Sequence, residues 1–440
     1  MLQWREKASG VIAPEERLPW PSSIALGLQH VLAMFGATVV APLLMGFPPN
    51  TAIFFSGVAT IIFFLVVGGK VPSYLGSSFA FIGPVLAAMG PTHNMAVALG
   101  GIVAAGVVYA IIGAITMYAG TRWIDVLMPP AVTGTIVMVI GLNLANVGWT
   151  DISGDAAHLN QNLVVAGVTL VAALASAVYL PSFLRRLPIL IGGVAGYIVA
   201  ALMGMIKFDA VSKAAWVGWP EFHGAAFDWR AIGLIAPVAI VLVAENTGHI
   251  KAVGQITGRN LDAYLGRGFL GDALSTIVAG FSGGPGVTTY AENIGVMAMT
   301  RVYSTVVFLI ASGVALLLGL CPKFGALVGT IPAYAPGILG GLSIVLFGLI
   351  AVTGARIWVE NKVDFGSPRN LLMAGVALIL GTGSYAISIG SFELSGIALS
   401  AIAAIVAYQL LREPKSTEAV ESADSQVEVP AGVRSATDQR

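Results

Sequence analysis

Gly283-Gly284-Pro285-Gly286-Val287-Thr288-Thr289-Tyr290-Ala291-Glu292 sits in a region otherwise apolar enough to cross a membrane, yet it consists of helix breakers, β-branched residues and an acid. Gly and Pro interrupt helices, whereas Val, Thr and Tyr favour extended backbone. The stretch therefore reads as a short strand leading into a half-helix. Its counterpart earlier in the chain is Gly76-Ser77-Ser78-Phe79-Ala80-Phe81-Ile82-Gly83-Pro84. Pro84 suits a first helical turn, where its missing N–H costs nothing. Unpaired backbone is prohibitive in lipid, so such stretches persist only inside protein or beside a cavity. If the two cross near the midplane they can pair, and two helix N-termini then point into one site. Free N–H groups there suit carbonyl oxygens or anions. The alternative is two ordinary kinked helices with no ligand.

Around these stretches the chain is greasy. Of its 440 residues 57% are hydrophobic and only 10% charged. A soluble domain carries about 25% charged residues, so this composition leaves too little polar surface to cover one. The 54 glycines scattered through apolar runs fit close helix–helix approach in a bilayer. Net charge is zero and no basic block appears, which argues against nucleic acid as a partner. The one cysteine, Cys321, excludes an internal disulfide and a Cys-based metal cluster. It reads as a small buried or interfacial hydrophobe. Residues 1–23 lack the apolar core of a signal peptide. The polar stretch 412–440 has the composition of a disordered tail.

Spans need about 20 apolar residues, fewer where broken or embedded in protein. They are expected at 24–46, 51–68, 75–90, 95–118, 125–147, 162–180, 187–205, 231–253, 268–281, 286–299, 303–320, 336–354, 370–389 and 394–411. Fourteen spans place both termini on one side. With that side cytoplasmic, inside segments hold 18 of the 22 Lys and Arg residues. Outside segments hold only Lys207, Lys213, Arg230 and Lys323, as the positive-inside rule requires. The polar connector 206–230 divides the spans into seven (24–205) and seven (231–411). Seven is odd, so the second half enters from the opposite side, the inverted-repeat plan of many secondary transporters. The sequence thus predicts an all-α polytopic membrane protein with short extended stretches in segments 3 and 10.

The polar residues of the spans are the candidates for function. A charge at the bilayer centre costs roughly 2.5–3.5 kcal/mol on insertion scales, so such residues usually face a cavity, a partner or a solute. Glu245 and His249 are spaced i, i+4 in Ala244-Glu245-Asn246-Thr247-Gly248-His249 and share a helical face. They can share a proton, which would make their titration a property of the pair. The bland reading is a structural pair between helices, although an apolar pair would serve without the desolvation cost. Glu292 begins the second half-helix, where the dipole favours an acid, so a plain helix-start role competes with a ligand role. His30 in the first span reads more simply as an interhelical hydrogen-bonding group. His93, His158 and His223 fall in outside loops and read as solvated. No metal-ligand spacing, P-loop or nucleophile–base pairing is present, which leaves little for a cofactor, an ATPase or a membrane-embedded enzyme.

Gln29-His30, Ser77-Ser78-Phe79-Ala80-Phe81, Ala244 to His249, and Thr289-Tyr290-Ala291-Glu292-Asn293-Ile294-Gly295 followed by Thr300-Arg301 form one set. With this set the chain resembles the nucleobase–ascorbate transporter (nucleobase:cation symporter-2) family over about residues 20–411, and within it the bacterial uracil permeases. The Glu-Asn-x-Gly and Thr-Arg run is the specific signature.

The resemblance implies a core domain of spans 1–4 and 8–11, a gate domain of spans 5–7 and 12–14, and proton-coupled uptake with no bound cofactor. It also implies homodimers in the lipid of a bacterial cytoplasmic membrane. It assigns base binding to Glu245 and Glu292, with backbone amides of Phe79 and Ala291, and proton coupling to Glu245 and His249. Ala291 departs from the glycine of the best-known uracil permease, and its methyl would narrow the pocket. Uracil's chemistry fits: two carboxylates can accept its ring N–H groups, backbone N–H groups can serve its carbonyls, and Phe79 or Tyr290 can cover a face. His30, Ser78 and Asn293 are candidates for support. A purine permease and an anion exchanger or channel of the same seven-plus-seven plan remain as alternatives. Glu292 weighs against the first, because purine members often carry glutamine there. The two central acids, which repel anions, weigh against the second.

Overall fold

A computed structural model describes residues 3–90, 93–181, 184–383, 385–389 and 392–411. The expected tail, 412–440, lies outside them. Among the described residues, seven helices are long and apolar enough to cross a membrane: Trp20–Met45, Pro49–Val66, Met95–Ala119, Pro130–Ser153, Ala156–Tyr179, Trp229–Thr257 and Pro336–Glu360. Thr305–Gly319 and Pro322–Tyr334 meet the same measure only together, across a bend of 79°. The other segments of the seven-plus-seven plan are shorter, among them Pro188–Leu202, Leu265–Phe281, Ala291–Thr300, Pro368–Thr382 and Gly396–Leu410. Seven of the described helices carry proline at their first or second position, where a missing N–H leaves no bond unmade.

The helices pack in two groups. In one, Leu265–Phe281 lies against Met95–Ala119 and Pro49–Val66, and Thr305–Gly319 against Pro49–Val66 and Trp20–Met45. In the other, Pro336–Glu360 lies against Pro130–Asn143, Ala145–Ser153 and Leu159–Tyr179, while Pro368–Thr382 pairs with Gly396–Leu410. Small residues permit the close crossings. Gly354 approaches Pro130–Asn143 so closely that a Cβ would collide with the Met138 nitrogen and stand 2.5 Å from the Gly134 oxygen. Backbone atoms cannot yield as a flexible side chain can.

Several expectations change. The end of segment 13 and the start of segment 14 are not helical: Ala386–Ile389 and Phe392–Ser395 pair as an antiparallel hairpin. Ile387, Ile389 and Phe392 are β-favouring, which apolarity alone does not reveal. The span expected at 125–147 is displaced to Pro130–Asn143 and continues, after Leu144, as Ala145–Ser153. Pro322–Tyr334 was not expected as a helix, and it starts on its proline. The connector 206–230 contains the short helix Asp209–Lys213, ends in the start of the next helix at Trp229, and is held down by Thr51 Oγ1 donating to Glu221 O (2.8 Å) and Ala226 N to Ala96 O (2.8 Å). Within it, His223 is not simply solvated. Its backbone N–H donates to Ser282 O, and its Nδ1 is buried.

The N-terminal segment is also ordered. Arg5–Glu6 and Glu16–Arg17 pair in parallel, and Ile12 bridges Val302. Glu16 is buried; the Ala13 backbone N–H, then the Arg5 and Lys7 cations, hold its carboxyl down at about 2.

Two outcomes are expected. Gly354→Leu should abolish monodisperse folded protein on size exclusion, and a normal elution profile would contradict the close crossing. A carboxyl depressed on folding stabilises above its unfolded value, here 4.5, and loses that effect as pH falls through its folded value of about 2. Amide protection factors at Ile12 and Tyr303 should therefore decline between those pH values. In Glu16→Gln they should be reduced already at pH 7.

Candidate functional site: paired half-helices and a buried acid network

The two irregular stretches do cross. Leu75–Ser77 and Val287–Thr289 pair antiparallel, with Leu75 opposite Thr289, Gly76 opposite Thr288 and Ser77 opposite Val287. Ser78 N donating to Gly286 O (2.9 Å) and Tyr290 N to Tyr74 O (3.0 Å) extend the ladder at each end. Outward-facing N–H groups also find partners, and they find them symmetrically. Leu75 N donates to Thr60 Oγ1 (2.9 Å) and Val287 N to Thr276 Oγ1 (3.2 Å). Each threonine lies on the helix preceding its strand, so the inverted repeat repeats its own hydrogen bonding. The symmetry centre is the Gly76–Thr288 pair.

Gly76 has a steric reason. A Cβ there would stand 2.6 Å from the Tyr290 ring, which crosses the strand pair. Tyr290 OH donates to Ser77 O (3.0 Å) and accepts from Thr38 Oγ1 (3.2 Å), and the residue is 3% exposed. Its ring therefore braces the strands and is not free to cover a flat ligand. Phe79 is buried, edge-on to Phe347 of the other packing group at 6.1 Å between centroids.

From the strand ends the chain turns into helices. The 3-10 turn Phe79–Phe81 runs into Ile82–Met89 and is capped by Ser78 Oγ, which accepts from Ala80 N (3.3 Å). Ala291–Thr300 starts directly after Tyr290. Phe79 and Ala291 thus hold equivalent first positions, just beyond the last residues of the ladder. Ala291 and Glu292 are exposed, and Glu245 and His249 partly so. The structure brings Ser78, Glu245, His249 and Thr289 into contact. Ser78 Oγ donates to Glu245 Oε2 (3.4 Å), and His249 Nδ1 lies 2.9 Å from Thr289 Oγ1.

Glu245 and His249 share a helical face, and in this structure the nearer polar partner of each comes from a strand or its end. Thr289 Oγ1 in turn lies 3.5 Å from Asn246 Oδ1, at the limit of a hydrogen bond. Asn246 Nδ2 donates to Tyr109 OH (3.0 Å) and to Asp272 Oδ2. Asp272 is fully buried in Leu265–Phe281, and sequence reasoning missed it. The signal was there, since an acid in an apolar span carries the same insertion cost that singled out Glu245. His30 stitches helices as its simpler reading requires. Its ring stands 4.6 Å from Phe308, its Nδ1 lies 3.0 Å from Asn293 Nδ2, and its carbonyl accepts from the same amide (3.2 Å).

On Val238–Thr257 Glu245, Gly248, His249, Ala252 and Gln255 are accessible at helical spacing, as are Ile240, Lys251, Ile256 and Thr257, while Val241 to Ala244 are buried. On Ala291–Thr300 the positions Ala291, Glu292, Gly295 and Ala298 do the same. Both stripes run from the carboxylates towards the end of the molecule that bears Arg259 and Arg301.

Comparison with known proteins adds identity to this geometry. The model of the Xan_ur_permease family, described as a permease family, matches residues 21–389. A protein of Escherichia coli (strain K12) named putative pyrimidine permease RutG is 51% identical over 415 residues, covering 92% of each chain. The uracil permease of the same organism is 40% identical over 401 residues, covering 90% of this chain and 92% of its own. Among solved structures, the murine Slc26a9 anion transporter in its inward-facing state aligns with a TM-score of 0.65 at 13% identity, over 88% of this chain and 68% of its own. The transmembrane domain of the cyanobacterial bicarbonate transporter BicA aligns with a TM-score of 0.58 at 14% identity, over 89% and 97%. These last two share the seven-plus-seven inverted-repeat fold.

Asp272→Ala should lower thermal stability by about 1–3 kcal/mol, because it strips the Asn246 amide of its buried acceptor. An unchanged melting midpoint would remove the network from the account.

Proposed function

The chain belongs to this permease family, and we propose that it takes up uracil and related pyrimidines such as thymine by proton-coupled secondary transport. The observation that carries the reading is the meeting of two carboxylates, Glu245 and Glu292, with the starts of two half-helices on a strand pair. Uracil presents two ring N–H donors and two carbonyl acceptors. Glu245 and Glu292 accept the former, and the N–H groups of Phe79 and Ala291 meet the latter. A base that offers no N–H to Glu245 or Glu292 forgoes a charge-assisted hydrogen bond and binds more weakly. The relatives named for pyrimidines and uracil support this substrate class.

Proton coupling falls to Glu245, with His249 one helical turn away. In the state observed, His249 contacts Thr289 and Glu245 contacts Ser78. Protonation of Glu245 would pair with binding of the base, and the two leave together on the cytoplasmic side, the side that the distribution of Lys and Arg gives to both termini. The two packing groups are the core and gate domains, and core motion against gate exchanges access between sides. The protein acts in a bacterial cytoplasmic membrane, as a homodimer, without a cofactor.

Glu245→Gln should abolish accumulation of labelled uracil while the protein still reaches the membrane; unaltered uptake would sink the coupling role. Glu292→Gln should weaken uracil binding by at least about tenfold and improve competition by xanthine or urate. Wild-type uracil affinity in that variant would refute its role. Strong competition by xanthine or urate in the unaltered protein would instead favour the purine reading.

A further inference from the structure

The helix that carries Glu292 is ten residues long and is held at both ends. Its start is fixed by the strand pair. Its far end is gripped by a segment outside the family signature, residues 3–19. Ile12 N donates to Arg301 O (3.0 Å), Tyr303 N to Ile12 O (2.8 Å) and Thr305 N to Pro14 O (3.1 Å). Thr305 Oγ1 donates to Pro14 O (2.9 Å) and accepts from Trp4 Nε1 (2.9 Å). Arg301 caps the helix in the left-handed region, φ 55°. That conformation is disfavoured for a side-chain-bearing residue, so an external partner for its carbonyl helps to hold it.

The grip has an apolar floor and a charged rim. Ile12 is completely buried and packs with Val302, Val306 and Val307, flanked by Trp4 and Leu18. Arg259, in the loop after Val238–Thr257, makes a two-pronged bond to Glu15 (3.0 and 2.7 Å). The Trp4 ring lies 6.3 Å from that of Phe64. Phe64 and Val306 lie on Pro49–Val66 and Thr305–Gly319, helices of the first packing group, and the first of these also packs on the strand Leu75–Ser77.

We infer that residues 3–19 form a positioning clasp, which pins Arg301–Thr305, sets the tilt of Ala291–Thr300 and moves with it through the transport cycle. With its start held at the strand pair, a helix freed at its far end pivots about that start, and the tilt of its axis turns the direction in which the Glu292 side chain projects. Binding constellations tolerate only about 10–20° of such misalignment. The inference rests on Glu292 as a uracil ligand, as proposed above. The clasp itself rests on the contacts alone.

The test uses full-length protein in detergent and in vesicles. Ile12→Pro removes the donor to Arg301, and Thr305→Val removes both side-chain bonds while keeping shape. The double variant should exchange the amides of 291–303 faster and bind uracil about tenfold more weakly by calorimetry. In a Glu292→Gln background the same pair should change affinity by less than about twofold, as a role exercised through Glu292 demands. Faster exchange with unchanged uracil affinity, or an equal loss in the Glu292→Gln background, would overturn the positioning role. A wild-type protein that binds no uracil would defeat the transport reading, while the exchange data would still judge the clasp. As a second route, independent of weakening the fold, Ile12→Cys with Val302→Cys in Cys321→Ala should oxidise to a disulfide and keep full uptake. Loss of uptake on oxidation, restored by reductant, would show that the clasp opens during transport and overturn its travelling with the core.

Discussion

The structure depends on the pairing of six residues. Two three-residue strands lie where lipid offers no hydrogen bonds, and unpaired backbone there costs several kcal/mol per group. Their ladder, continued by Ser78 and Tyr290 and flanked by the hydroxyls of Thr60 and Thr276, gives these groups partners. The consequence is geometric. Two helices must begin where the strands end, and the first N–H groups of a helix have no partner within it; here Ser78 Oγ takes that of Ala80. The site is thus a by-product of how the fold solves its backbone problem. The inverted repeat makes the solution symmetric, and the side chains then make it specific.

Asymmetry lies in those side chains. Equivalent positions after the strands hold Phe79-Ala80 in one half and Ala291-Glu292 in the other. One half places a buried aromatic there, the other an exposed acid. Glu245 joins them from Val238–Thr257, and its helix also carries Asn246 and His249, which connect the strand hydroxyls to buried Asp272. A polar network of this kind sits in a low-dielectric interior, where satisfied bonds are strong and vacant ones expensive. The shared fold of the two anion-transporter neighbours does not extend to this chemistry, since two carboxylates at the centre repel an anion.

Much of this was legible in the chain, for identifiable reasons. Glycine, proline and β-branched residues inside apolar runs marked both strands, because lipid makes such residues intolerable unless the backbone is paired elsewhere. The cost of burying Glu245 and Glu292 marked the carboxylates. Asp272 was overlooked although the same reasoning applied to it. The partner of His249 was unreadable, because helical spacing shows which residues share a face but not that Thr289, 40 positions later, comes closer. Tyr290 looked like a ligand-facing ring until Gly76 and Ser77 proved to lie beneath it. The hairpin at Ala386–Ile389 and Phe392–Ser395 was missed because hydropathy does not separate strand from helix in short apolar runs. The N-terminal segment, whose composition gave no pattern, is ordered largely by contacts with the distant stretch Arg301–Thr305.

Whether two carboxylates read the two ring N–H groups of a pyrimidine is tested most directly by equilibrium binding of uracil, 1-methyluracil and 3-methyluracil to the purified protein at one pH. Each methyl group removes one N–H donor and leaves the carbonyls in place. Both analogues should bind at least about tenfold more weakly than uracil. An analogue that binds as tightly as uracil would show that one ring N–H is not read by a carboxylate, and would contradict the assignment.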